Sequence, residues 1–183
     1  NLEKKISEVA FLQKKIKVDR HILKNEKKLK KKAKNINDLV QGVRINKKKK
    51  PKKLKKKKYK KTNIQMPVQG KIISNFGEGK DFNNSKYGLV FSVSSDSFVT
   101  SPIDGIVLFA GKWRSYGNII IIENKTNFQT ILTGMHKILI STGNEVLRGE
   151  PIARISKKEN NQLYFEMRYK GKIIDPKTEV EIL

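Results

Sequence analysis

Residues 162–176 read QLYFEMRYKGKIIDP. Leu163, Phe165 and Met167 alternate with Gln162, Glu166 and Arg168, a period of two that belongs to a strand. Lys170-Gly171 is a turn signal, and Lys172–Ile174 resumes as a second strand. By the same alternation Tyr164 and Arg168, four positions apart, share a face.

The pattern extends back to Gln65. Strands are expected over Lys71–Phe76, Gly88–Val93, Ser97–Thr100, Ile106–Ala110, Asn118–Glu123, Gln129–Thr133, Lys137–Ile140, Pro151–Ile155, Gln162–Tyr169 and Lys172–Ile174. Turn signals separate them at Glu78-Gly79, Asp104-Gly105, Tyr116-Gly117-Asn118, Thr142-Gly143-Asn144 and Arg148-Gly149. Many short strands at this spacing predict an antiparallel sandwich or barrel-like sheet. The fold class is mainly β.

The first third obeys a different period. Leu2, Val9, Ile16 and Leu23 recur every seven residues, with Ile6 interleaved. Leu29, Ile36 and Val43, with Ala33 and Val40, continue one residue out of phase. Such spacing puts one apolar stripe on a helix, the seam of a coiled coil. Gly42 and Pro51 should close it, because glycine is a poor helix former and proline breaks the ladder. Three segments are therefore expected: a coiled-coil-like helix over 1–43, a Lys-rich disordered linker over 44–66, and a β domain over 67–183.

Charge follows the same division. Of 41 Lys and Arg and 17 Asp and Glu in 183 residues, residues 1–66 hold 26 and 5, leaving 15 and 12 for the remainder. The net charge of +24 therefore splits into +21 and +3. Within 47–61, KKKKPKKLKKKKYKK, 12 of 15 positions are Lys, which cannot collapse against one another. Three roles stand open for this run: a solvated spacer, attraction to anionic lipid head groups or an anionic polymer such as a cell wall, and phosphate neutralisation on nucleic acid. With Tyr59 as its one aromatic, the run offers no stacking platform, which counts against nucleic acid.

Without cysteine there is no disulfide framework, thiolate metal site or Cys nucleophile. The longest apolar run, Ile106–Ala110, is far short of the ~18 residues that span a bilayer. No secretory signal is present. The first residue is Asn1 rather than Met, as expected where a leader or more has been removed.

The order of blocks in the β part resembles the LytM (lysostaphin-type) zinc endopeptidases, a duplicated-hybrid-motif β fold. Pro67–Gly70 with Ser74-Asn75-Phe76-Gly77 matches that family's opening block. Lys86-Tyr87-Gly88-Leu89-Val90 stands in its His-x-Gly-x-Asp block. Val99–Val107 (VTSPIDGIV), Tyr116–Ile119 (YGNI), Gly143–Val146 (GNEV), Gly149–Ile152 (GEPI) and Leu163–Glu166 (LYFE) follow in order, closed by Gly171 and Asp175-Pro176.

In the peptidases the first block's His and Asp and a His of the last block hold the zinc, which needs three protein ligands and an open water position. Here those slots read Lys86, Val90 and Tyr164. An ammonium repels a dication, Val has no lone pair, and a phenol with an ordinary pKa of ~10 is protonated at neutral pH. The proton-shuttling slots read Gln162 and Gly134. His136, two residues beyond, could share the face of the empty slot, but one imidazole makes no zinc site. No cofactor is expected.

A metal-free domain of this kind behind a coiled coil resembles the EnvC-type murein hydrolase activators. The resemblance implies a non-enzymatic periplasmic protein at the division site of a Gram-negative bacterium. In that family the coiled coil docks on an FtsEX-like division complex and the vacant groove binds N-acetylmuramoyl-L-alanine amidases. The groove positions carried over are Lys86, Tyr87, Val90, Tyr116, Ile119, Leu132, Tyr164 and Arg168; Tyr and Arg around an aliphatic floor is a hot-spot composition. Replacing Arg168 with Glu or Tyr164 with Ala is expected to abolish stimulation with the domain still folded. The short coiled coil and the Lys run depart from the family. A peptidoglycan-binding module, a zinc metalloendopeptidase, a lipoyl-like carrier domain and a nucleic-acid-binding tail are the rival readings. No Met-Lys-Met hairpin supports the carrier.

Overall fold

The computed structural model describes residues 36–45, 64–78 and 86–179, together with the single positions 5, 8, 9, 13, 20, 24 and 33. The chain divides into two compact units, Asn1–Lys48 and Lys49–Leu183.

In the first unit helix α1 spans Ile36–Ile45. Leu39, Val40 and Val43 are buried, whereas Asn37, Asp38 and Gln41 are exposed, so the helix is amphipathic. Asp38 in its first turn complements the positive end of the helix dipole. Gly42 does not stop it; the helix runs on to Ile45. Positions 5, 8, 9, 13, 20 and 24 are also helical. Most of the heptad positions, and all of the Lys run at 47–61, lie outside the described residues.

Among the described residues the second unit holds eleven antiparallel strands: β1 Lys71–Ser74, β2 Gly88–Ser92, β3 Ser97–Thr100, β4 Gly105–Lys112, β5 Asn118–Glu123, β6 Phe128–Thr133, β7 Lys137–Ile138, β8 Glu145–Val146, β9 Pro151–Ile155, β10 Gln162–Tyr169 and β11 Lys172–Ile174. A four-residue helix, α2 at Pro176–Glu179, follows. Ten of the strands are those expected. The eleventh, β8, has two residues just after a turn and pairs with Gly105 and Ile106 on β4.

The large sheet runs β1-β2-β10-β6-β5-β4-β8, with β11 beside the far half of β10; the small one runs β3-β9-β7. Between them lies the core, which takes Leu89, Phe91, Ile120, Ile122, Leu132, Leu163, Phe165 and Met167 from the large sheet and Val99, Ile152, Ala153 and Ile155 from the small one. The alternate residues of the large sheet therefore point to its other, outer face. A bulge between Val107 and Phe109 shifts the alternation of β4. Val107 joins the core and Phe109 turns outward beside Ile121.

Ile119–Ile122 are fully buried although neighbours alternate in direction. β5 is thus covered on both faces, and its sequence is a continuous apolar run. Full burial of each such side chain stabilises by roughly 1.5–3 kcal/mol.

Candidate functional site

The register of the large sheet lines up one row on the outer face: Ser74 on β1, Val90 on β2, Tyr164 on β10, Thr133 on β6, Ile119 on β5 and Gly111 on β4. A second row reads Gly88, Glu166, Ile131, Ile121 and Phe109. A third places Arg168 opposite Gln129. Val90 and Tyr164, 74 positions apart in sequence, are direct neighbours because β2 and β10 pair antiparallel.

Tyr164, Glu166 and Arg168 form one buried polar set along β10. The Tyr164 hydroxyl donates to Glu166 Oε2 at 2.7 Å, and Arg168 Nε donates to Glu166 Oε1. All three side chains are at most 3% exposed. The carboxylate is thus held by a phenol on one oxygen and a guanidinium on the other, the charge-assisted arrangement that makes its burial tolerable. Gly88 makes room for the phenol: a Cβ there would lie 2.7 Å from Tyr164 Cε2 and collide with the Phe165 carbonyl oxygen.

Of the residues expected to line a groove, Val90, Ile119, Tyr164 and Arg168 share this outer face and are buried. Leu132 does not. It points the other way, into the core between the sheets, because β6 alternates and Thr133 takes the outer position. Lys86 and Tyr87 lie in the turn ahead of β2 and are exposed, Tyr87 by 51%. Tyr116 is half-buried in a short 3-10 turn, Arg114–Tyr116, where its ring stacks on Trp113 with centroids 5.3 Å apart. The Arg114 guanidinium lies 5.6 Å from the Trp113 ring centroid, and Arg114 itself has φ +47°, the left-handed region. Trp113 has extended backbone, so by alternation it follows Phe109 and Gly111 on the outer face.

Gly134 and Gln162, the two expected shuttle slots, are also adjacent. A Cβ on Gly134 would collide with the Gln162 carbonyl oxygen, and the Asn160 amide donates to both their carbonyls at 3.1 Å. His136 stays off this face. Its backbone N–H donates to the Arg154 carbonyl on β9, and it lies near enough to Asp96 to act on that carboxyl. The Lys157 N–H and the Ser156 hydroxyl, with His136 adding its charge, hold Asp96 below the ordinary carboxylate range.

These residues do not fit a zinc ion. Val90 supplies no donor atom, the Tyr164 phenol proton is committed to Glu166, Lys86 is a cation in an exposed turn, and Gly134 has no side chain or space for one. Among the described residues no three His, Asp or Glu side chains converge.

Sequence reasoning missed Glu166 as the hinge of the polar set, although its position midway between Tyr164 and Arg168 puts it on their face. It also missed Trp113, Thr133 and Gln129. Thr133 and Gln129 reach the site through strand register, for which the sequence carries no local signal.

The order and geometry of these strands find their counterpart in comparison with known proteins, since residues 84–176 match peptidase family M23. The chain belongs to peptidase family M23. Outer membrane antigenic lipoprotein B of Haemophilus influenzae is 36% identical over 115 residues, 61% of this chain and 28% of that protein. The murein hydrolase activator NlpD of Escherichia coli is 32% identical over 113 residues, 60% and 29% of the two chains. The murein hydrolase activator EnvC of the same species is 27% identical over 113 residues, 60% and 27%. The resemblance is thus to the murein hydrolase activators NlpD and EnvC together, with NlpD the more similar of the two. The chain spans less than a third of the length of these relatives. A putative M23 peptidase from Pseudomonas aeruginosa shares the fold, with TM-score 0.59 and 17% identity over 89% of this chain and 64% of that one.

Proposed function

We propose that this M23 domain is a non-enzymatic activator of N-acetylmuramoyl-L-alanine amidases in septal peptidoglycan splitting, related to both NlpD and EnvC. The observation that carries this reading is the pairing of Val90 with Tyr164. Where the family's peptidases would set two zinc ligands side by side, this chain sets an aliphatic side chain beside a phenol already bound to Glu166. Such a surface has nothing to polarise a scissile carbonyl or activate a water. It is suited instead to contact with another protein, with Tyr164, Arg168 and Trp113 as the residue types that dominate interface energetics.

An amidase segment would rest on the outer face over Val90, Ile119 and Tyr164, with Lys86, Tyr87 and Tyr116 at its margin. Because Val90 and Ile119 are fully buried, docking includes exposing them. The amidase is activated if its active conformation binds this face more tightly than its resting one, a population shift set by that difference in affinity. The proposed organisation is a helical segment over 1–43 that serves an FtsEX-like division complex, a Lys-rich spacer over 44–66, and the docking domain over 67–183. The name of the Haemophilus relative and the activator names support the envelope of a Gram-negative bacterium, with action in the periplasm at the division site.

The test is release of peptidoglycan fragments from purified sacculi by an amidase, with and without this chain, beside the chain alone with added zinc. Stimulation of the amidase and no release by the chain alone is the expected result. Cleavage by the chain alone, or stoichiometric zinc in the purified protein, would overturn the reading.

A further inference from the structure

The small sheet presents a face of its own to solvent. Phe98 on β3 stands opposite Arg154 on β9, and Arg154 stands opposite Lys137 on β7, so the three form one row across the sheet. All three are exposed, Phe98 by 48%. Their strand neighbours Val99, Ala153 and Ile155 enter the core, and the row therefore points away from it. Because the core lies between the two sheets, this face and the outer face of the large sheet look in opposite directions.

The charges of the row are unbalanced. Arg154 and Lys137 sit one interstrand spacing apart, about 5 Å, and like charges directly opposite each other are destabilising. Among the described residues neither side chain makes an ion pair or a hydrogen bond. Asp96, two residues before Phe98, is already engaged, accepting from the Ser156 hydroxyl and the Lys157 N–H. The Arg154 guanidinium lies 4.7 Å from the Phe98 ring centroid. The ring supports it by cation–π attraction and leaves its in-plane N–H donors free. A planar fork of donors is thus held beside an ammonium, the arrangement that takes a carboxylate in two parallel hydrogen bonds. Leu139, two residues beyond Lys137 and 43% exposed, extends the face with an apolar side chain.

We infer that Phe98, Arg154 and Lys137 form a second binding surface, which takes the carboxylates of peptidoglycan stem peptides. Charge favours an acidic polymer over a second copy of this chain, since residues 1–66 carry +21 and the remainder +3. The choice of this polymer rests on the activator reading: it is the amidase's substrate, and its stem peptides present free carboxylates along the glycan. With the wall on one face and the amidase on the other, the domain holds enzyme and substrate together and raises their effective concentration.

The experiment measures sedimentation of the full chain with purified sacculi. Arg154→Ala/Lys137→Ala is compared with Lys125→Ala/Lys172→Ala, which removes the same charge from exposed positions elsewhere, and with Arg154→Lys, which keeps the charge and loses the fork. The first pair should bind about tenfold more weakly. The control pair should bind as wild type does, and Arg154→Lys should fall between. Amidation of the sacculus carboxylates should erase the difference between wild type and Arg154→Ala/Lys137→Ala. Undiminished binding by that pair overturns the inference. So does an equal loss in the control pair, which makes the effect one of net charge. An equal loss on vesicles of phosphatidylethanolamine and phosphatidylglycerol also overturns it, because the ligand is then a lipid phosphate. Amidase stimulation on the same sacculi separates the two readings. A chain that stimulates while its binding ignores Arg154 and Lys137 loses this inference and keeps the activator reading; binding that depends on them, with no stimulation, does the reverse.

Discussion

Tyr164 and Glu166 are joined by a 2.7 Å hydrogen bond between side chains two residues apart on one face of β10. The bond is buried, and the acceptor is an acid whose other oxygen is held by Arg168. Tyr164→Phe keeps the ring over Gly88 and removes only the donor. One oxygen of a buried carboxylate then loses its partner, at a cost of about 1–3 kcal/mol. Urea unfolding should show a lower midpoint with an unchanged slope, since the surface exposed on unfolding is the same.

Arg168→Ala is more severe. It removes the cation from a buried pair and leaves the Glu166 carboxylate with the Tyr164 phenol as its remaining hydrogen-bond partner among those described. Breaking a buried pair in this way costs about 3–5 kcal/mol. Arg168→Glu should go further, because it sets two carboxylates side by side in the same buried position. The expectation that these replacements spare the fold therefore changes: a thermal melt should register both before any amidase assay does.

Docking is better tested at the margin. Lys86 and Tyr87 are exposed, so Lys86→Glu and Tyr87→Ala should leave the melting temperature within about a degree or two of wild type, as surface changes usually do. Amidase stimulation should fall in both. Equal stimulation by wild type and the two variants would place the docked segment elsewhere on the domain.

Asp96 links the turn at residues 156 and 157 to the start of β3 by accepting from the Ser156 hydroxyl at 3.0 Å and the Lys157 N–H at 2.8 Å. These bonds favour the ionised form and hold its pKa below the ordinary value. A carboxyl depressed in the folded state stabilises fully above its unfolded pKa, near ~3.9, and loses that contribution as pH falls through its lower folded value. Asp96→Asn should thus separate from wild type by a constant melting difference at neutral pH. The gap should narrow below about pH 4. A gap that widens on acidification would contradict the assignment.

The strands were legible because most keep one apolar face and are bounded by glycine turns. Ser97–Thr100, Asn118–Glu123, Pro151–Ile155, Gln162–Tyr169 and Lys172–Ile174 have the bounds the pattern predicts. β8 was not, since two residues carry no period. The site was legible only in part. Tyr164 and Arg168 follow from alternation within one strand, but the placing of Thr133 beside Tyr164, and of Leu132 on the opposite side, depends on which residue of β6 meets which residue of β10. A one-residue change of register would exchange them. Trp113 continues the outer face by alternation after Phe109 and Gly111, and the turn that follows, with Arg114 at φ +47° and Gly117 at φ +68°, stacks Tyr116 on its ring.

Gly134 sits at φ +101° with the Gln162 carbonyl against the place a side chain would start. Any imidazole introduced there must first push a strand aside. A histidine at 164 forfeits the phenol that quiets Glu166, and an aspartate at 90 crowds a second anion into the same row. Each isolated codon change toward hydrolytic chemistry thus loses stability before it gains a usable electrophile. Zinc-site residues at these three positions would therefore have to be introduced together, along with changes in the packing around them.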